Sequence, residues 1–305
     1  MSDIFGSPQN FARLGEFLSI LAALLWAVSI VLFRVVGEKV HALGMNLFKN
    51  VLAVGLLLPT MAVFGEFASP GLSLGSSLWL VLSGLIGIAL SDTLFFMALN
   101  KLGAELTAIV DCAYSPFVIG LSFVFLGERT DALQTAGAAL IVLAVVMIAR
   151  QKSDSPIPRS TLLAGIGLGI VGLFFQAIGI VMFKPLLGGA SILWVTFLRM
   201  AGGAAGVAIA VAVHPRRRAI VRPIFSKKTI LLLLPASLLA AYFSNVIWIG
   251  GMKYTLASIA SALNQLNTIF VFVLAAVFLK EKITPLKLAA LTLAFAGAML
   301  VSIRF

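Results

Sequence analysis

The sequence predicts an all-α integral membrane protein: ten transmembrane helices, built as two inverted five-helix repeats around a central cavity. Composition is the first observation. Of 305 residues 61% are hydrophobic and 11% charged, and mean hydropathy is +1.12, whereas a soluble domain carries about 25% charge. Length is the second: ten separate apolar runs approach the roughly 20 residues a helix needs to cross a bilayer. The third is that residues 154–305 repeat residues 1–153. With an odd number of spans per copy, the second copy is upside down relative to the first. Secondary transporters use that arrangement to build a site that opens to either side in turn.

In chain order the runs are 16–36, 44–64, 77–98, 104–126, 132–150, 160–183, 190–212, 229–251, 256–279 and 285–303. The first follows a polar start carrying Arg13 and has no small-residue cleavage site behind it, so it reads as an uncleaved span. Most connections are short, which makes successive helices antiparallel neighbours; the longer, charged ones are 151–159 and 214–228. In the fourth run Pro116 removes a backbone hydrogen bond and predicts a kink. Its repeat equivalent is Ile269, so the two copies need not bend alike. The Gly-Gly pairs at 188–189, 202–203 and 250–251 permit close helix approach.

A net charge of +11 would suggest nucleic acid in a soluble protein. Here the basic residues concentrate in loops between apolar runs and read as a topology signal, so no nucleic-acid partner is expected. Cys112 is the only cysteine and forms no intramolecular disulfide. His41 and His214 fall in loops without companions at ligand spacing, so neither a metal site nor a cofactor is expected.

The repeat is carried by particular residues. An offset of about 153 pairs Phe117-Val118 with Phe270-Val271, and Val124-Phe125-Leu126 with Val277-Phe278-Leu279. It also pairs Glu128-Arg129 with Glu281-Lys282, Ser91 with Ser244 and Asp92 with Asn245. Earlier in each copy an offset of about 150 pairs Phe33-Arg34 with Phe183-Lys184, and Lys49 with Arg199. Chance apolar similarity does not align charges in this way. The Phe-Leu-Gly-Glu-Arg at 125–129, with Gln134 and Gly137 on the next helix, resembles the end of an EamA-type repeat. The second copy has Phe-Leu-Lys-Glu-Lys at 278–282, then Thr284-Pro285-Leu286-Lys287. Over its full length the chain resembles the EamA branch of the drug/metabolite transporter superfamily. That resemblance implies ten spans, a central cavity and carriage of a small metabolite. It does not fix the metabolite: relatives carry amino acids, sugars, nucleotide sugars, phosphorylated sugars and drugs.

Lysine and arginine in short loops mark the cytoplasmic side. They gather after spans one, three, five, seven and nine (Lys39, Lys101, Lys152, Arg216, Arg217, Arg218, Lys280 among them), against Arg13, Arg129, Lys184, Lys253 and Arg304 on the other side. This pattern puts both termini outside, whereas many relatives are drawn with both inside. The expected location is the cytoplasmic (inner or plasma) membrane.

Polar residues inside spans are expensive and normally face a cavity or one another. Helical spacing puts Asp111 and Tyr114 on one face of span four, and Asn264 and Asn267 on the equivalent face of span nine. Ser91 and Asp92 in span three pair with Ser244 and Asn245, next to Trp248, in span eight; Trp26 in span one pairs with Gln176 in span six. These faces either line one cavity or act as polar glue between helices. The departures from symmetry point to chemistry. Lys49, Asp92 and Asp111 lie toward one membrane side, so Lys49 can pair with a carboxylate, either as a static ion pair or as part of a proton-coupled switch. In the second copy the carboxylates become Asn245 and Asn264 while the cation persists as Arg199. Arg199 then either grips an anionic group of the substrate, helped by Asn245, Asn264 and Asn267, or snorkels to the headgroups. The repeated Glu128 and Glu281 read as loop anchors that bind N–H groups at the start of the next helix.

The best-fitting cargo is an amino acid or related zwitterion, exported, because the cavity holds both signs of charge. Nucleotide-sugar, sugar-phosphate or lipid-linked carriage and a non-transporting scaffold or sensor are the alternatives. An intramembrane aspartyl enzyme is disfavoured because Asp111 lacks a Gly-x-Gly-Asp setting. One chain supplies a whole site, so a monomer suffices.

Overall fold

The computed structural model describes residues 8–66, 72–127, 131–150, 157–281 and 283–302. Glu128, Arg129, Lys152, Lys282 and Arg304 lie outside these. The described residues are helical, with no strand among them. The helices are α1 (Pro8–Gly37), α2 (Ala42–Phe64), α3 (Leu74–Leu102), α4 (Ala104–Leu126), α5 (Ala132–Ala149), α6 (Arg159–Gly189), α7 (Ile192–Val213) and α8 (Lys227–Tyr254). Then come α9, in two pieces (Ala257–Asn264 and Leu266–Leu279), and α10 (Pro285–Ser302). Among the described residues eight helices, α1 to α8, are long and apolar enough to cross a membrane, where ten such spans were expected. The shortfall is at the C-terminal end, where α9 is broken at Gln265 and its longer piece, like α10, is a shorter apolar helix.

Local sequence sets several of the starts. Ser73, Ser191 and Ser226 sit in extended conformation and accept from the backbone N–H three residues on, opening α3, α7 and α8. Asp131 and Gln134 form a reciprocal capping box at α5. Gly65 and Gly127, at φ 68° and 66°, terminate α2 and α4 in the left-handed region that favours glycine.

The two halves of the chain interleave. α5 lies along α10, α2 along α7, and α4 crosses α9; α3 packs on α6 as α1 packs on α8. Exchanging the two copies maps each of these pairs onto itself or onto another member of the set. In lipid, such packing depends on small residues that let backbones touch. A Cβ on Gly84 of α3 would stand 2.0 Å from the Arg199 carbonyl oxygen of α7, and one on Gly202 would stand 2.1 Å from that of Val81. Gly251 meets Ser19 and Gly15 of α1 in the same manner, while Gly188 and Gly189 face open space and have no packing role.

Both copies bend α3 and α8 at the same register. A π-helical turn covers Leu85–Leu90, and its equivalent covers Leu238–Ser244. Such a turn inserts one residue into the helical repeat and is frequent at functional sites. Here each turn ends beside a candidate residue, Asp92 or Asn245. The kink of α4 falls at Cys112–Ala113, whose N–H groups bond only three residues back, one turn before Pro116. α9 breaks at the equivalent Gln265 without a proline, so both copies interrupt this helix at the same register. A proline is therefore not required for this interruption.

Candidate functional site

The bends aim polar side chains into a central cavity of about 60 Å³, bounded by α1, α3, α4, α6, α7, α8 and α9. That is room for about four to six ordered waters at ~10–15 Å³ each. Of the thirteen in-span residues singled out from the sequence, all but Lys49 and Ser91 line it.

Its first wall is built outward from α2. Lys49 is fully buried and donates to Asp92 Oδ2 at 2.6 Å and to Asn50 Oδ1 at 3.1 Å. Asn50 donates to Asn46 Oδ1 at 2.9 Å. Asn46 in turn donates to the Ile88 and Ala89 carbonyls at 3.1 and 3.2 Å, inside the π-turn, where they also accept from the Ser91 N–H and the Thr93 hydroxyl. The chain of bonds runs from a distorted backbone to Asp92 without a gap, which makes it rigid. Lys49 does not reach the cavity; it stands behind Asp92, which does. Sequence reasoning missed Asn46 and Asn50, although an Asn pair four apart flanking a buried lysine was the available signal.

The second wall is built from the equivalent positions and is held differently. Arg199 is 3% exposed, so it does not snorkel to the headgroups. Its Nη1 donates to the Gly179 carbonyl at 3.0 Å and to Ser83 Oγ at 3.4 Å, and its guanidinium lies 3.8 Å over the Phe183 ring. Gly87 and Gly179 approach so closely that a Cβ on Gly179 would be 2.8 Å from Gly87 Cα, and this close packing borders the guanidinium. No carboxylate is within ion-pair distance of Arg199 among the described residues. Its Nε is buried without a partner. Trp248 packs edge-on to Phe183, with ring centroids 5.7 Å apart, and buries an unpartnered Nε1. Asn245 is turned back, donating to the Ala240 carbonyl of its own π-turn at 3.2 Å.

Between the walls, Asp111 Oδ2 accepts from Asn267 Nδ2 at 2.9 Å, across the α4–α9 crossing. Asn267 Oδ1 is buried and unpartnered. Asp111 has no cationic partner among the described residues. Trp26 lies against Phe95, centroids 6.1 Å apart, and Gln176, Tyr114 and Asn264 complete the lining. Ser91 is buried outside the cavity, and Trp194 stacks on Phe197 away from it.

Glu281 does not anchor the helix that follows it. It accepts from the N–H groups of Ala104 and Glu105, both at 3.1 Å, at the start of α4 in the other copy. α10 is opened by Thr284, whose hydroxyl takes the Lys287 N–H, while α4 starts at Gly103 and has no capping side chain of its own. Beside it Lys287 forms an ion pair with the buried Glu105. His41 and His214, far apart in sequence, come together on this same side, ring centroids 6.0 Å apart.

A model of the EamA-like transporter family matches residues 13–150 and again residues 163–303. The chain belongs to the EamA-like transporter family. This EamA-like protein is accordingly a multi-pass membrane protein of a family of small-solute transporters. Among curated proteins none matches. A solved crystal structure superposes with a TM-score of 0.69 over 94% of this chain and 95% of the other, at 14% identity. Likeness at that identity shows a shared fold alone.

Proposed function

We propose that this EamA-like protein is a secondary transporter that exposes the central cavity alternately to the two sides of the cytoplasmic membrane and exports an amino acid or related zwitterion. One observation carries the substrate class. A single cavity holds a buried guanidinium with no carboxylate partner, Arg199, and a buried carboxylate with no cationic partner, Asp111, among the described residues and on different walls. A ligand bearing both signs relieves both desolvated charges, while a purely anionic or cationic one relieves only one and meets repulsion from the other. Arg199 would take the carboxylate, with Trp248 Nε1 adding a donor. Asp111 and Asn267 Oδ1 would take the ammonium. Asp92, already paired with Lys49, fixes the wall, and Asp111 is the candidate for proton coupling.

The ten-span topology, in two inverted units 1–153 and 154–305, rests on the paired family matches and the interleaved packing. The lysine and arginine distribution favours outside termini. Labelling of an Arg217→Cys variant by an impermeant maleimide in intact cells would reverse that orientation.

The test is a thermal-shift and counterflow panel on purified protein: amino acids, dicarboxylates, sugar phosphates, nucleotide sugars and organic cations. A zwitterion should stabilise the wild type and exchange in proteoliposomes, and lose both effects in Arg199→Ala. Stabilisation by sugar phosphates or nucleotide sugars alone would replace the substrate class. A panel that gives neither binding nor exchange would favour a scaffold.

A further inference from the structure

The connection between α7 and α8 is unlike any other in the molecule. Together with the first two residues of α8 it spans residues 214–228, which hold six basic side chains (Arg216, Arg217, Arg218, Arg222, Lys227, Lys228) and no acidic one. The equivalent connection of the first copy, residues 65–73, holds Glu66 and no Lys or Arg, and lies on the opposite membrane side. The basic segment is ordered rather than a plain loop. A short helix, Arg217–Val221, runs into a 3₁₀ turn, Arg222–Phe225, with Ile220 and Ile224 buried against the bundle and the basic side chains exposed. Below it, Phe225, Lys227, Ile230, Leu231, Leu234 and Pro235 form an apolar groove along α8. Phe225 and Leu231 are 67% and 75% exposed there. Lys227 stands at the head of the groove, in the first turn of α8, where the helix N-terminus adds partial positive charge.

A cationic head above an apolar groove that descends into the hydrocarbon matches an anionic phospholipid. The phosphate meets Lys227, with Arg222 and Lys228 nearby in sequence, and an acyl chain lies on Leu231 and Leu234. We propose that this is a specific anionic-lipid site, and that its occupancy anchors the α7–α8 connection at the leaflet surface. Charge complementarity chooses the occupant: a zwitterionic lipid brings no net charge to six cations with no acidic residue in their segment, and a soluble anion gains nothing from the groove.

Full-length protein in neutral detergent, titrated with phosphatidylglycerol, phosphatidylcholine or glycerol phosphate, tests this by thermal shift and native mass spectrometry. Phosphatidylglycerol should stabilise the wild type and stay bound, with phosphatidylcholine and glycerol phosphate without effect. Its affinity should fall roughly fivefold for each charge removed in Arg222→Gln/Lys227→Gln/Lys228→Gln. Lys227→Gln alone, at an exposed position, should show the same sign if the triple variant is poorly folded, and Leu231→Gln should weaken binding with every charge intact. Equal retention of the two phospholipids, or unchanged phosphatidylglycerol affinity in the charge variants, overturns the proposal. Stabilisation by glycerol phosphate alone overturns the lipid assignment in favour of a soluble anion.

Discussion

Lys49 and Arg199 occupy equivalent places in the two copies, and both are buried cations, yet the protein holds them in opposite ways. Lys49 is matched by Asp92 and tied through Asn50 and Asn46 into the backbone of α3. Arg199 rests on a carbonyl, a hydroxyl and an aromatic face, with an unpartnered Nε. Residue identity explains why. At the second copy's equivalents of Asn46, Asn50 and Asp92 stand Thr196, Met200 and Asn245, so the cation is present without the supporting network. A charge whose desolvation is left uncompensated is costly to the fold and available to a ligand. The first wall is therefore a structural member, and under the proposal that Arg199 grips the substrate the second is where a ligand's binding energy would act.

That contrast fixes an order of effects. Lys49→Met strands Asp92 in the interior and should destabilise the protein by about 3–5 kcal/mol, with Lys49→Met/Asp92→Asn recovering most of the loss. Thermal denaturation in detergent measures both; a double variant no better than the single would mean that the pair is not what holds this wall. Arg199→Ala should behave the other way round. Loss of one charge-assisted contact worth about 1.5–3 kcal/mol lowers ligand affinity about 10- to 150-fold. Its melting point should move less than that of Lys49→Met, because no buried carboxylate loses its partner.

A smaller asymmetry lies nearer the membrane surface, where Lys287 pairs with Glu105 but their equivalents are the uncharged Gln134 and Ser258. Glu281→Gln keeps the shape but removes the carboxylate that caps α4, for an expected cost of about 0.5–2 kcal/mol. Increased maleimide access to a cysteine placed at the exposed Lys101 would report the same loosening. The smallest effect belongs to the histidine pair. Burial, then the neighbouring His214, hold the His41 imidazole below its ordinary 6.5. The folded state therefore prefers the neutral ring, so the contribution is complete above the unfolded value and is lost as pH falls below it. The melting point should drop as pH falls through and below about 6.5, and His41→Gln should flatten that profile.

Much of the cavity was legible because membrane burial makes in-span polar residues rare. Asp92, Asp111, Arg199 and the asparagines were recognisable by type and spacing alone. The Lys49 ion pair was legible too, since only one cation and two carboxylates share that side. Three things were not. The π-turns before Asp92 and Asn245 leave no trace in apolar periodicity. The Glu281 cap on α4 depends on which helix end lacks a partner of its own. The break of α9 at Gln265 has no proline to announce it.

Primary structure alone establishes that this chain is a duplicated membrane protein of the EamA-like family, which residues stand inside its spans, and that its second copy has asparagines where the first has carboxylates while keeping an in-span cation. Those facts follow from hydropathy, from the aligned charges of the repeat and from residue identity, all of which are local or periodic. Folding in three dimensions was needed to settle that the copies interleave, that Asp111 meets Asn267 rather than a lysine, and that Arg199 lies over Phe183 with Gly87 and Gly179 beside it. Asp111 and Asn267, for example, stand 156 positions apart along the chain. Contacts of that range, between α4 and α9 or among α3, α6 and α7, are set by which backbones can approach closely, and that is a property of packed surfaces rather than of any one segment.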